Sequence, residues 1–418
     1  MPDWHKQTQY LALTSAEGLS SHQHSSAITN AGTRITMLLL LAVSACALRA
    51  PPRHAISMSA GTPIRRRQLG TSDLVVSDVC LGTMTWGKQN TLEEGVQQLD
   101  CAFDEYGLNF LDTAEMYPVP TEAETQGKTD ETIGAWLKKR GRRDDVVLAS
   151  KICGASERIT WVRGDGRGTR VTEADIVEGV EGSLRRLGTD YIDLLQIHWP
   201  DRYVPLFGSG TYDASQEREA VPFVEQLQAL KKLVDQGKVR HIGVSNETPY
   251  GVCQFIKEHE RDASLPRICS IQNSYSLLVR SDFESGLTET CAQTDVGLLA
   301  YSPLAGGILS GKYSGSKAPA GARLNLFPGF MDRYSQSLAK EAVVEYERVA
   351  AAYDVTPAQL ALKWCYSRPH VASTIIGATS MDQLRENIDA FFLDDLPEGC
   401  LDAVADVYSR YRDPSKTS

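Results

Sequence analysis

Apolar and polar positions along the chain fall into two regimes. From Thr62 onward, short runs rich in Val, Ile and Leu recur, each followed by residues whose apolar members return every three or four positions. The short runs predict strands at 78–84, 109–115, 146–152, 191–199, 239–246, 267–274, 296–302 and 373–379. Stretches of helical period begin at TLEEGVQQL, TDETIGAWL, TEADIVEGV, VPFVEQLQA, DFESGLTET, TPAQLALKW and SMDQLRENI. Thr172 and Thr356 stand where N-caps belong, and Gly107, Gly141 and Gly188 where helices stop. Eight alternations of this kind specify parallel strands, and eight strands close an α/β TIM barrel, (β/α)8. An open doubly wound sheet would need G-x-G-x-x-G after its first strand, and none follows DVCLGTM. IRRRQLG, ahead of the first barrel strand, reads as a short extra N-terminal strand or hairpin over the barrel floor.

Before Thr62 the alternation is missing. Residues 1–36 are polar and aperiodic; from Met37 an apolar run through Leu48 leads into an acid-poor tail containing Arg49 and Arg53. The run has the length of a signal h-region and is too short for a membrane span. The expected organisation is a disordered leader at 1–61, whose segment 37–61 is a two-part plastid address, and a barrel domain at 62–418. A cytoplasmic location is the alternative.

Charge and cysteines narrow the function class. Across 418 residues, 43 Lys+Arg face 53 Asp+Glu, a formal charge of −10, which argues against a nucleic-acid partner. The nine cysteines are scattered without a C-x-x-C pair, so neither a structural metal nor a disulfide framework is expected. The spacing of the strands places extended loops after strands three, four and seven. Loops after strands form the C-terminal face of a barrel, where active sites are built.

The polar residues at those strand ends form a coherent chemical set. They are Asp112 with Tyr117, Lys151, His198, Ser245 with Asn246, Gln272, Tyr301 and the run GATSMDQLREN. A phenol with a reference pKa of ~10 needs a neighbouring cation to act as an acid near neutrality. Lys151 can supply that charge, Asp112 can hold Lys151 protonated, and His198 can orient a carbonyl oxygen or share the proton relay. Such a set suits delivery of a proton to a carbonyl oxygen, with hydride for the carbon coming from a cofactor. Taken singly, these residues have blander readings, for His198 that of a satisfied core histidine. GGILSGK nearly spells a phosphate loop, but Tyr313 stands where a hydroxyl for Mg²⁺ is required.

The segments FLDTAEMY, LASKICG, YIDLLQIHWPD, HIGVSNET, IQNSYSLL, LLAYSPLAGGILSGKY and IIGATSMDQLREN, in this order, resemble the aldo-keto reductase superfamily. The stretch AEMYPVPTEAETQGKTDETIGAWL is similar to its Tas-like branch. The resemblance covers roughly residues 62–412 and implies reduction of aldehydes or ketones with NADP(H). It implies Tyr117 as general acid, with Asp112, Lys151 and His198 completing a tetrad. It further implies that Ser245, Asn246 and Gln272 hold the nicotinamide carboxamide and that Tyr301 stacks on its ring. Ser302, Leu304, Lys312 and Arg323 would fold over the pyrophosphate, while Gly377, Thr379, Gln383, Glu386 and Asn387 would receive the adenosine end. Many members place a Lys and an Arg where this chain has Gly377 and Gln383, and Arg385 is offset in helical register, which leaves NAD(H) open.

Two rival functions follow from other features. Relatives of this fold serve as cofactor-sensing subunits of ion channels, though the complete tetrad favours turnover here. A barrel hydrolase would need two carboxylates, with Asp112 and either Glu115 or Asp193 as nominees. The loops 154–171 and 201–220 are expected to line the substrate pocket, with Trp161, Tyr203, Phe207 and Tyr212 as walls and GDGRG as a flexible turn.

Overall fold

The computed structural model describes residues 63–314, 318–335 and 338–416. The leader, its targeting segment 37–61 and Cys46 lie outside the described residues. A hairpin comes first: β1 (Arg66–Gln68) pairs antiparallel with β2 (Val75–Ser77). The eight strands expected from the apolar runs then follow: β3 (Val79–Gly82), β4 (Phe110–Asp112), β5 (Val147–Ile152), β6 (Ile192–Ile197), β7 (Val239–Ser245), β8 (Ile268–Ser274), β9 (Gly297–Tyr301) and β10 (Val371–Ile376). Each pairs in parallel with the next, and β10 closes on both β9 and β3. The result is a closed (β/α)8 barrel.

Caps set the helix boundaries. Thr91 and Thr356 both form reciprocal capping boxes, with Glu94 and Gln359, and the Thr172 side chain accepts from the backbone N–H of Asp175. Gly141 and Gly188 end their helices in the left-handed conformation that a Cβ disfavours. Three helices have no counterpart among the periodic stretches read from the sequence: Pro249–Arg261, Ala339–Ala352 and Glu398–Arg410. The first opens on Pro-Tyr-Gly, which reads as a turn, yet Thr248 caps it and Pro249 sits at the N-terminal position where its missing N–H is harmless. The second lies in the extension after β9, which also carries the short helical segments Ala305–Ser310, Arg323–Leu326 and Asp332–Tyr334. DFESGLTET divides into Ser281–Glu284 and Leu287–Thr294 around Gly286 at φ 105°. The loop after β4, 113–127, is also long, and it carries Tyr117.

Two residues of rise separate floor from mouth. The lower barrel interior packs Cys80, Phe110, Ala149, Leu194 and Leu299 against Leu69, Leu74 and Val76 of the hairpin, which plugs the floor. Strand side chains alternate faces, so residues two positions further on point along the same axis. Those positions are Gly82, Asp112, Lys151, Gln196 and Tyr301. The barrel is therefore dry at one end and lined by hydrogen-bonding groups at the other. Outside, Leu81, Leu111 and Leu148 pack into the helical layer with Ile133 and Trp136.

Candidate active site

At the mouth of the barrel the side chains converge on a buried ion pair. Lys151 Nζ lies 2.6 Å from Asp112 Oδ2, and both residues are buried. The ammonium also donates to the Thr113 carbonyl at 2.8 Å and contacts the Tyr117 hydroxyl at 3.3 Å. A lysine has three N–H donors, and these are its three partners. The other Asp112 oxygen accepts from Gln272 Nε2 at 2.8 Å, and Gln272 in turn meets Gln196 Oε1 at 3.2 Å. Sequence reading missed Gln196. Its signal was a polar residue two positions before His198, on the same face of the strand.

Electrostatics divide the cluster. Burial disfavours the Lys151 ammonium, yet Asp112 and then Tyr117 more than offset it, and the amine is held above its ordinary range. Tyr117 is raised as well, first by burial and also by Asp112, while Lys151 pulls the other way. This corrects the expectation that the cation would leave the phenol acidic: within the chain alone, burial wins, and Tyr117 is firmly protonated at neutral pH. The His198 ring stands edge-on to Tyr117, with centroids 5.8 Å apart at 74°. Its Nδ1 is buried without a hydrogen-bond partner.

The neighbouring strand ends form a second group. The Ser245 hydroxyl donates to the Gln272 carbonyl at 2.8 Å. Asn246 Nδ2 donates to the His198 carbonyl at 2.8 Å, and Asn246 Oδ1 accepts from the Tyr301 hydroxyl at 2.6 Å. Asn246 and Ser302, each just past a strand, hold φ values of 52° and 55° in the left-handed region. Non-glycine residues adopt that strain where the surroundings over-determine it, commonly at ligand sites.

One cleft joins these groups to the rest of the expected set. Asp112, Tyr117, His198, Ser245, Asn246, Gln272, Tyr301, Ser302, Leu304, Lys312, Arg323, Gly377, Thr379, Gln383, Glu386 and Asn387 all line it; Lys151 sits beneath. The cleft's volume of about 2060 Å³ exceeds what a small carbonyl compound needs. Lys312 is pulled below its ordinary range by burial and then by the charge of Arg323, and burial lowers Arg323 too. Among the described residues no carboxylate is bonded to either; Arg323 Nε reaches only Gln89 Oε1, at 3.3 Å. At the far end, Gln383 Oε1 accepts from the Thr379 backbone N–H and hydroxyl, both at 3.1 Å, and Asn387 Nδ2 donates to the Gly377 carbonyl. Arg385 turns away and pairs with Glu105 at 2.7 Å, so it does not line the cleft.

The loop expectations hold in part. Ala155, Ser156, Arg158 and Ile159 line the cleft, as do Tyr203 and Phe207, whereas Trp161 and Tyr212 do not. Tyr212 packs against Tyr203 instead. The turn 164–168 is tied down: Gly164 N–H donates to Glu178 at 2.6 Å, and Arg167 pairs with Asp165 at 3.0 Å. Beside it, fully buried Arg163 bridges Glu115 at 2.8 Å and Asp175 at 2.7 Å, fixing the loop after β5 to the one after β4. Glu115 is thereby committed to an ion pair. Asp193 is held by Arg143 and Arg240, and Leu148 N–H donates to it, so neither nominee joins Asp112 as a hydrolytic pair.

Comparison with known proteins places this geometry. The sequence profile described as "Aldo/keto reductase family" matches residues 78–408. The chain belongs to the aldo/keto reductase family. It is 44% identical over 348 residues to "Protein tas" of Escherichia coli (strain K12), covering 82% of this chain and 97% of that protein. An "Aldo-keto reductase" of Babesia bovis is 44% identical over 255 residues, 58% of this chain and 88% of its own length. A "Probable voltage-gated potassium channel subunit beta" of Arabidopsis thaliana is 30% identical over 329 residues, 78% and 90% of the two chains. As a family member this aldo-keto reductase is an oxidoreductase of the Tas-like branch.

The state of His198 gives a stability test. Burial, and then the charge of Lys151, hold its imidazole well below the ordinary histidine range. In the unfolded chain the ring titrates near ~6.5. Below that pH the unfolded chain takes up a proton that the folded one refuses, so the contribution is intact above ~6.5 and shrinks as pH falls toward the folded-state value. His198→Gln is expected to flatten the loss of stability between pH ~6.5 and ~5. Urea midpoints across that range check it; an unchanged slope would mean that His198 is charged in the fold.

Proposed function

We propose that the chain is an NADP(H)-dependent reductase of aldehydes and ketones in which Tyr117 is the proton donor. The observation that carries this reading is the Tyr117 hydroxyl 3.3 Å from a buried ammonium, with the His198 ring edge-on to the Tyr117 ring in the same cleft. A carbonyl oxygen needs one donor to orient it and one to protonate it. His198 is placed for the first role and Tyr117 for the second. As the proton leaves Tyr117, the phenolate gains the full attraction of Lys151, which Asp112 keeps charged. The raised value in the ground state ensures that the proton is there to give.

The donor set fits a nicotinamide dinucleotide. Lys312 and Arg323, both lowered by burial and Lys312 further by the charge of Arg323, stand in a cleft wall without a bonded carboxylate, an arrangement that calls for an anionic ligand such as a diphosphate. Ser245, Asn246 and Gln272 present amide and hydroxyl groups suited to a carboxamide, and Tyr301 is tethered beside them. When bound, the reduced nicotinamide supplies the hydride for the carbonyl carbon. The rest of the chemistry belongs to the chain: Tyr117 donates the proton, Lys151 and Asp112 stabilise the charge left behind, and the plugged floor keeps water from the ion pair. The Arabidopsis relative is named for a channel subunit, but the full tetrad in this chain supports turnover.

Two expectations follow. Tyr117→Phe should lower kcat for carbonyl reduction at least ~100-fold, the scale of a positioned acid, while NADPH affinity barely changes. Near-normal turnover would remove Tyr117 from the mechanism. The second concerns the cofactor's 2′-phosphate, for which Gly377 and Gln383 offer no charge and Arg385 is held by Glu105. Preference for NADPH over NADH should therefore be only about 10–100-fold, roughly 1.4–2.7 kcal/mol, and Gln383→Arg should widen it. Dissociation constants by quenching of Trp fluorescence measure this; tighter NADH binding would reverse the assignment.

A further inference from the structure

The charged residues along the cleft are unequally neutralised. Asp112 is bound to Lys151, and Lys312 and Arg323 stand on the loop after β9 assigned above to the cofactor. Arg202, on the loop after β6, is neutralised by Glu247 at 2.5 and 2.9 Å. Beyond Arg333, which donates to the Tyr334 hydroxyl at 3.0 Å, two guanidinium groups line the same cleft, Arg158 on the loop after β5 and Arg218 on the loop after β6. Among the described residues neither is bonded to a carboxylate.

Arg218 is aimed without being neutralised. Its Nε donates to the Asp201 carbonyl at 2.9 Å and its Nη2 approaches the Arg202 carbonyl at 3.4 Å, so two backbone groups orient it. The carboxylate of Asp201, whose carbonyl holds Arg218, is occupied: it is buried and accepts from Arg170 and from the backbone N–H groups of Val171 and Val221. Glu217, its neighbour in sequence, accepts from the Tyr212 hydroxyl at 2.8 Å. A guanidinium whose fork is partly free and whose direction is fixed suits a carboxylate.

Position connects these cations to the chemistry. Ile159, adjacent to Arg158, and Trp199, close in sequence to the carbonyls that hold Arg218, both pack against the apolar cluster around Tyr117, together with Met84 and Val119. The cleft thus combines apolar walls packed around Tyr117 with unneutralised positive charge on the loops after β5 and β6. We propose that the enzyme's substrates are carbonyl compounds with an apolar body and a carboxylate at the end remote from the carbonyl, read by Arg218 with help from Arg158. The inference rests on the carbonyl-reductase reading and specifies its substrate class. In a chain of formal charge −10, such a local positive rim selects acids against the repulsion of the whole.

The test compares three aldehydes with the full chain and NADPH: 4-formylbenzoate, its methyl ester and 4-nitrobenzaldehyde. At low ionic strength kcat/KM for the acid should exceed that for the ester by at least ~10-fold, and ~0.5 M salt should shrink the ratio, since exposed charges are screened. Arg218→Glu should bring the ratio below one, and Arg158→Gln should lower it part of the way. Both sites are exposed loop positions, so neither change attacks the core. A wild-type ratio of one or less, or a ratio that Arg218→Glu leaves unchanged, overturns the inference while reduction of 4-nitrobenzaldehyde still upholds the reductase reading. If none of the three aldehydes is reduced, the reductase reading falls and this inference with it.

Discussion

The Lys151–Asp112 ion pair is the constraint around which the site is arranged. Removing two charges from water is costly, and mutual attraction repays it only when every remaining donor and acceptor is satisfied. The barrel meets that condition with parts from several strands. Asp112 ends β4, Lys151 lies on β5, and Gln272 on β8 covers the second carboxylate oxygen. The ammonium's third partner, after Asp112 and the Thr113 carbonyl, is the Tyr117 hydroxyl. The phenol is thus part of what makes the buried charge tolerable, and its position follows from that requirement. Breaking such a pair from one side costs about 3–5 kcal/mol, which couples the site to the stability of the barrel.

A second consequence concerns the resting proton. Burial that makes the pair tight also makes phenolate unfavourable, so Tyr117 holds its proton until negative charge develops beside it. Lys151 then favours loss of that proton more strongly than in the resting state. The loops that line the cleft after β4, β5 and β6 are held by separate ion pairs, Arg163 with Glu115 and Asp175, and Arg202 with Glu247. The dry floor, the charged centre and the fastened rim are distinct layers of one axis.

Much of this was legible in the sequence because the strands obey a period of two. Asp112, Lys151, Gln272 and Tyr301 stood out as polar residues closing apolar runs, and the structure brings them to one cleft. Gln196 followed the same rule and was overlooked, because apolar Ile197 follows it and His198 reads as the strand's polar end. What the sequence hid depends on partners far away along the chain. GDGRG read as a flexible turn, but the residue before it, Arg163, is anchored by Glu115, 48 residues earlier. The direction of Arg385 was set by Glu105, 280 residues away. The helix Pro249–Arg261 was concealed by an opening that local propensity assigns to a turn. Long-range ion pairs have no periodic signature, and a proline at a helix start looks like one at a break.

Everything above depends on the hold of the Lys151 ammonium over the Tyr117 proton. Its most direct test is titration of the Tyr117 phenol by NMR in protein carrying ring-labelled tyrosine, compared between wild type and Lys151→Met under conditions where both are folded. Wild-type Tyr117 should titrate above the ordinary phenol value of ~10, held there by burial and Asp112. Loss of the cation should move it higher still, because Asp112 then stands uncompensated beside it. The same midpoint in both proteins would contradict the claim, since the ammonium would then have no hold on the proton that the proposed reduction draws on.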